Sequence, residues 1–233
     1  MPILVTAAKG GSGATTIAAA IVLASAHAGA TPTLVDLAGD AGAAFRSAGQ
    51  PLAAPTVDEW LRASAPTERL DELAAATDPA ILTWAVGERN PPDTAAPPER
   101  WRDLLDWCAR RELQTSAPVV IDGGTNSTAL LAAGCTGHAT TLLVTRRCYL
   151  GLRRATRQPP PDAVVIVDEP QRALTRRDVE RSVGAPVITT LAWDPAVAQA
   201  IDAGLTVSDA PRPLRRCGAQ IVSALESVRS AAA

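Results

Sequence analysis

The sequence predicts an α/β protein: a mostly parallel β-sheet with helices on both faces. Three observations carry that reading. Short, continuously apolar runs alternate with helical segments along the chain, as strands buried on both faces require. The first such run, Pro2–Thr6, passes through a glycine-rich turn, Ala7–Gly13, into an apolar helix, Ala14–His27. The 233 residues are 47% hydrophobic, enough for one sizeable core. The whole chain, residues 1–233, is expected to be one domain, because no internal repeat or long low-complexity linker interrupts it.

The remaining elements follow in order. Thr33–Leu37 reads as the second strand, with Asp36 near its end. Short helices are expected at Ala41–Ser47 and at Val57–Ala63, the latter with Trp60 and Leu61 inward. Ile81–Val86 reads as a strand, and the proline-rich Asn90–Pro98 as an exposed loop. Glu99–Arg111 places Trp101, Leu104, Leu105 and Cys108 at helical spacing. Pro118–Asp122 is a buried strand ending in an acid. Ser127–Ala133 reads as a helix, Thr141–Thr145 as a strand and Tyr149–Thr156 as a helix. The proline-rich Gln158–Asp162 connects to strand Ala163–Val167. Helix Arg176–Ser182, strand Pro186–Leu191, helix Pro195–Ala203 and a terminal helix over about Leu214–Arg229 complete the pattern.

Composition narrows the function. A net charge of -2 favours neither nucleic acid nor an anionic membrane. The four cysteines (Cys108, Cys135, Cys148, Cys217) lack metal-site spacing and read as small buried hydrophobes. His27 and His138 have no ligand partner at local spacing. The N-terminus runs straight into a strand, so no signal segment is expected, and no apolar run nears the roughly 20 residues of a spanning helix. A cytoplasmic protein is the expectation. Of the 22 basic residues, 21 are arginine and one is lysine, Lys9. Where arginine prevails everywhere else, a lone lysine in a glycine-rich turn points to a need for a compact ammonium.

That turn reads Lys9-Gly10-Gly11-Ser12-Gly13-Ala14-Thr15-Thr16. Its glycines let the backbone curl so that successive N–H groups point inward, and the following helix adds its N-terminal partial charge. Strand, turn and helix thus stand in the order of a phosphate-binding loop, and the expected class is a P-loop NTPase-like α/β fold. Thr15 lies where a hydroxyl would ligate Mg²⁺. The general Walker A pattern places a lysine immediately before that threonine; here the residue is Ala14.

The same run resembles the deviant Walker A loop of the MinD/ParA family, in which a signature lysine precedes the two glycines. Lys9 holds that position. The resemblance implies binding of ATP with Mg²⁺, with Lys9 reaching the nucleotide of a partner subunit in a nucleotide-dependent homodimer. The cofactor-binding set implied is Lys9, Gly10, Gly11, Ser12, Gly13, Ala14, Thr15, Thr16, Asp36 and Asp122. The loop pattern Ala14-Thr15-Thr16 is most similar to the CpaE/TadZ branch, which is linked to pilus assembly.

Two acids end strands on the ligand side of such a sheet. Val35-Asp36-Leu37-Ala38-Gly39-Asp40 stands where the family usually carries Asp-x-Asp. Asp36 matches the first acid, which orders the magnesium shell. Ala38 replaces the second, which positions the attacking water. Asp40 is read as the N-cap of the helix that follows. Asp122, after Val119-Val120-Ile121, resembles the Walker B acid. Thr15, Asp36 and Asp122 are therefore the candidate metal residues. Absence of a comparable preorganised group costs ~10²–10³ in rate, so losing the lysine before Thr15 and the acid at position 38 leaves weak hydrolysis or none.

The expected function is a nucleotide-binding dimerisation switch or scaffold acting with a protein partner of a positioned apparatus. Two alternatives stay open: a nucleotide-free scaffold, and an active ATPase or ATP-dependent ligase. Arg146, Arg147, Arg153, Arg154 and Arg157, and again Arg172, Arg176, Arg177 and Arg181, cluster in sequence. They read as solvated surface paired with acids such as Asp178 and Glu180 rather than as a nucleic-acid face. Leu214, Ile221, Val222, Leu225 and Val228 form a stripe on the terminal helix. A packed helix explains it more simply than a membrane contact.

Overall fold

The computed structural model describes residues 1–45, 56–75, 80–82, 96–125 and 137–232. Among these residues seven strands form one sheet in the order β3-β2-β4-β1-β5-β6-β7. They are β1 (Ile3–Ala7), β2 (Thr33–Asp36), β3 (Ala80–Leu82), β4 (Val119–Gly124), β5 (Thr140–Thr145), β6 (Ala163–Asp168) and β7 (Val187–Ala192). All six pairings are parallel. The α/β fold expected from the sequence is therefore observed.

Strand side chains alternate between two helical layers, as the pleat demands. Ile3, Val5 and Ala7 of β1, Val144 of β5 and Val165 of β6 enter the larger core. That core is closed by α1 (Ala14–His27), α2 (Ala41–Ala44), α8 (Pro195–Ala203) and α9 (Arg212–Ala232). Leu4, Val35 and Ile121 point the other way, toward α3 (Val57–Arg62), α4 (Glu68–Ala75) and α5 (Pro98–Thr115). Leu143, Val164 and Ile166 pack on that second side against α6 (Tyr149–Ala155) and α7 (Arg176–Val183). Sandwiching by helices on both faces is why these strands read as unbroken apolar runs.

Local chemistry sets the helix boundaries. α5 begins at Pro98, whose missing N–H costs nothing at a first helical position. It runs on to Thr115, past the expected end at Arg111, and stops where Ser116 turns left-handed at φ 51°. A capping box starts α7, the Thr175 N–H donating to Asp178 at 2.8 Å. The terminal helix is longer at both ends than expected. In its stripe Leu214, Ile221 and Leu225 are fully buried and Val222 partly so, as a packed helix requires, while the side chain of Val228 lies outside the description.

Some expectations fall outside the described residues: the helix at 127–133, the loop at 90–95, the last four residues of the strand read at 81–86, and Cys135. Others are corrected. Cys108 and Cys217 are buried, but Cys148 is only half-buried, and its sulfur accepts the Gly151 N–H at the start of α6. His27 makes a contact distant in sequence, which leaves the reading of its local spacing untouched: Arg215 of α9 donates to its ring at 2.8 Å and ties the end of α1 to α9. Among the described residues no helix is long and apolar enough to cross a membrane.

Candidate functional site

β1 lies at the centre of the sheet, with β4 on one side and β5 on the other. The chain therefore crosses β1 between β4 and β5, and the crevice at the carboxyl ends of these strands is where an open α/β sheet takes a ligand. The glycine-rich turn sits in that crevice. Its conformation needs glycine: Gly11 has φ 72° and Gly13 φ 99°, both left-handed. A Cβ on Gly13 would also stand 3.1 Å from Cγ2 of Val167, so the far end of the loop rests on β6. The Ser12 hydroxyl donates to the Lys9 carbonyl at 2.7 Å and closes the loop on itself. No side chain caps the first turn of α1. Its leading N–H groups are thus left for an anion. Lys9 and Thr15 are half-buried, while Ser12 and Ala14 are buried.

Asp36 and Asp122 are register partners on β2 and β4. The sequence placed both at strand ends, and pairing brings them side by side. Their environments differ. Asp36 accepts three backbone N–H groups, from Ala38 at 3.0 Å, Gly39 at 2.8 Å and Ala41 at 2.8 Å. It organises the loop and caps α2. That corrects the expectation for Asp40: it occupies the N-cap position, but its side chain makes no capping bond. Asp40 instead lines a cavity of about 430 Å³ beside the first turn of α1, with Thr15, Thr16 and Asp202. Neither Asp40 nor Asp202 entered the predicted cofactor-binding set. Proximity to Thr15 was not readable from either local context.

Asp122 is fully buried. Burial, with the nearby Asp36 charge second, pushes its carboxyl up to about 7, against the lowering effect of the Thr15 hydroxyl and the Gly124 N–H beside it. One oxygen accepts the Gly124 N–H at 3.1 Å, while Oδ2 is buried with no hydrogen-bond partner. An orphaned buried carboxylate oxygen beside a threonine hydroxyl fits a hard divalent cation, which takes oxygen ligands. Among the described residues no three acidic, histidine or cysteine side chains form a complete metal cage. Mg²⁺ ordinarily needs only one or two carboxylates and completes its shell with phosphate and water. Thr15 and Asp122 are the residues that would hold it, with Asp36 bracing the loop beside them. Ala38 does face this corner: a Cβ on Gly124 would come 2.9 Å from that of Ala38. Position 38 thus presents a methyl where the family pattern has an acid.

Past the ends of β5 and β6, charges pair off. Arg147 donates to Asp168 at 2.6 Å and to the Leu174 carbonyl at 2.9 Å. Arg146 and Arg172 both pair with Glu169, and Arg176 pairs with Glu180. These arginines are therefore paired with acids as expected, although their main partners, Asp168 and Glu169, were not the ones named from sequence.

No protein-family model matches the sequence, and no curated protein matches it significantly. Solved structures do match. A ParA family ATPase from Chlorobium tepidum superposes with a TM-score of 0.71 at 19% identity, covering 96% of this chain and 98% of that one. The septum site-determining protein MinD from Pyrococcus horikoshii, in complex with Mg-ADP, gives 0.73 at 14% identity and covers 100% and 98%. An Asp→Ala variant of McdA from Cyanothece, in complex with ATP, gives 0.66 at 15% identity and covers 97% and 96%. The chain has the fold of the MinD and ParA ATPases.

Proposed function

We propose that this chain is a MinD/ParA-type protein that binds ATP with Mg²⁺ and acts as a dimerisation switch or scaffold in spatial positioning. The observation that carries the reading is the coincidence of three features in one crevice. These are a left-handed glycine loop, an uncapped helix start, and a buried acid with an unpartnered oxygen at Thr15. Mg-ADP in the MinD structure and ATP in the McdA variant support the choice of ligand. The McdA variant also holds ATP after an acid has become alanine, and Ala38 is an alanine in a family position for an acid. Hydrolysis is weak or absent here because neither Ala14 nor Ala38 supplies the electrostatics that phosphoryl transfer requires. The loop pattern shared with the CpaE/TadZ branch favours a pilus or secretion apparatus as the object positioned, with cell division or partitioning as the alternative.

Calorimetry of the chain with ATP and Mg²⁺, with light scattering on the same samples, tests the reading. Binding with a shift to dimer mass is expected. No binding at millimolar ATP would leave a nucleotide-free scaffold. Lys9→Ala is expected to keep the folded monomer and lose the nucleotide-dependent mass shift, because Lys9 is half-exposed at the mouth of the loop. Undiminished dimerisation of that variant would refute the role of Lys9 across the interface.

A further inference from the structure

The loop has no lysine at position 14, and a second cation, Arg146, directly follows the strand next to β1. β1 and β5 run parallel with Ala7 opposite Val144. Lys9 lies two residues past Ala7 and Arg146 two residues past Val144, so both cations follow the carboxyl ends of neighbouring strands. The loop then ends on β6, where Gly13 packs on Val167. Because β5 lies between β1 and β6, the loop passes over the tip of β5, where Arg146 is the first residue beyond the strand.

The two arginines at this tip are held differently. Arg147 is a strut: besides Asp168 it reaches the Leu174, Glu169 and Arg172 carbonyls. Arg146 pairs with the Glu169 carboxylate through Nη1, and its Nε is buried with no hydrogen-bond partner. Glu169 in turn has a second arginine, Arg172, on its other oxygen. Glu169 would therefore stay paired if Arg146 left.

We propose that Arg146 is the cis cation of the phosphate site, exchanging Glu169 for the terminal phosphate of a bound nucleoside triphosphate. This rests on the nucleotide-binding reading above. A terminal phosphate carries more negative charge than one carboxylate and matches the guanidinium fork. The exchange also gives the orphaned Nε an acceptor. Glu169 holds Arg146 in reserve while the site is empty, and Arg172 keeps Glu169 neutralised afterwards.

The test is equilibrium binding of methylanthraniloyl-labelled ATP and ADP, with Mg²⁺, to the unaltered chain and to Arg146→Gln, Arg146→Lys and Glu169→Gln. Arg146→Gln is expected to weaken triphosphate binding at least about tenfold, the worth of a charge-assisted hydrogen bond, and to weaken diphosphate binding much less. Arg146→Lys recovers part of the loss. Glu169→Gln tightens triphosphate binding severalfold by releasing the arginine. Triphosphate binding that Arg146→Gln leaves unchanged, or equal losses for both nucleotides, overturns the proposal. Should Arg146→Gln fail to fold, Glu169→Gln decides: tighter triphosphate binding upholds the exchange and unchanged binding overturns it. No nucleotide binding by the unaltered chain refutes the nucleotide reading itself, and this inference with it.

Discussion

Replacing Gly218 with alanine is expected to destabilise the folded chain by about 3 kcal/mol, the upper end of ordinary overpacking. Gly218 lies in α9 where that helix crosses α1. A Cβ there would stand 2.0 Å from the Ala20 carbonyl oxygen, 2.5 Å from its carbon and 2.9 Å from the Ala24 Cβ. Two of these three atoms are backbone, so no rotamer change relieves the clash and the helices must separate. Separation would loosen Leu214, Cys217 and Ile221, all buried in the same core. In an exposed helix the same change would be favourable by about 1 kcal/mol, through helix propensity. The sign of the measured effect therefore separates propensity from packing. Urea unfolding of Gly218→Ala beside Ala219→Ser, an exposed neighbour, makes the comparison. Equal midpoints for the two variants would show that α1 and α9 do not cross this closely. The effect also reaches the site, because α1 carries Thr15 and Thr16 in its first turn.

Asp122→Asn should stabilise the nucleotide-free chain at pH 8 by up to about 4 kcal/mol. The carboxyl is raised to about 7 in the folded chain against an ordinary 3.8. Burial disfavours the charged form, so folding here opposes ionisation. Below pH 4 the group is protonated in both states and costs nothing. Between pH 4 and 7 the unfolded chain ionises while the folded one resists, and stability falls as pH rises. Above 7 both are ionised and the full penalty stands. The asparagine variant lacks this dependence, so its advantage grows from pH 4 to 7 and then levels off. Urea midpoints at pH 4, 6 and 8 measure it. A variant no more stable than the parent at pH 8 would show that the buried carboxylate is solvated or paired. On the nucleotide-binding reading proposed above, ATP with Mg²⁺ is expected to reverse the order. The parent would gain stability by binding, and the variant, without a second anionic oxygen at Thr15, would gain little. The acid that weakens the empty fold is thus the one that a cation would satisfy.

Residues close together in the chain were enough to read the class of the fold and to point to a candidate site. Both rest on short-range chemistry: apolar runs of strand length, an all-apolar helix after a glycine turn, and acids at the ends of Val35-Asp36 and Ile121-Asp122. Patterns of this kind are local, so the order strand, turn, helix could be read directly, and Lys9 stood out by composition alone. Helix ends were less legible. α5 and α9 both extend beyond their most apolar segments; the last turn of α5 is held by polar contacts, Glu112 to the N-terminal amine and the Thr115 hydroxyl to the Arg111 carbonyl.

Tertiary structure decided how the charges are used. In sequence Asp40 reads as the helix cap and Asp36 as an acid of the magnesium shell. The turn after β2 aims the Asp36 carboxylate at three N–H groups and leaves Asp40 facing the cavity. The shift at Asp122 comes from complete burial beside a neighbouring strand's acid, which no linear spacing reveals. Arg146 meets Glu169 across 23 positions and Gly218 meets Ala20 across nearly the whole chain. Periodicity reports which face an element buries. It is silent on which distant residue meets that face, because that choice is made by strand order and helix crossing.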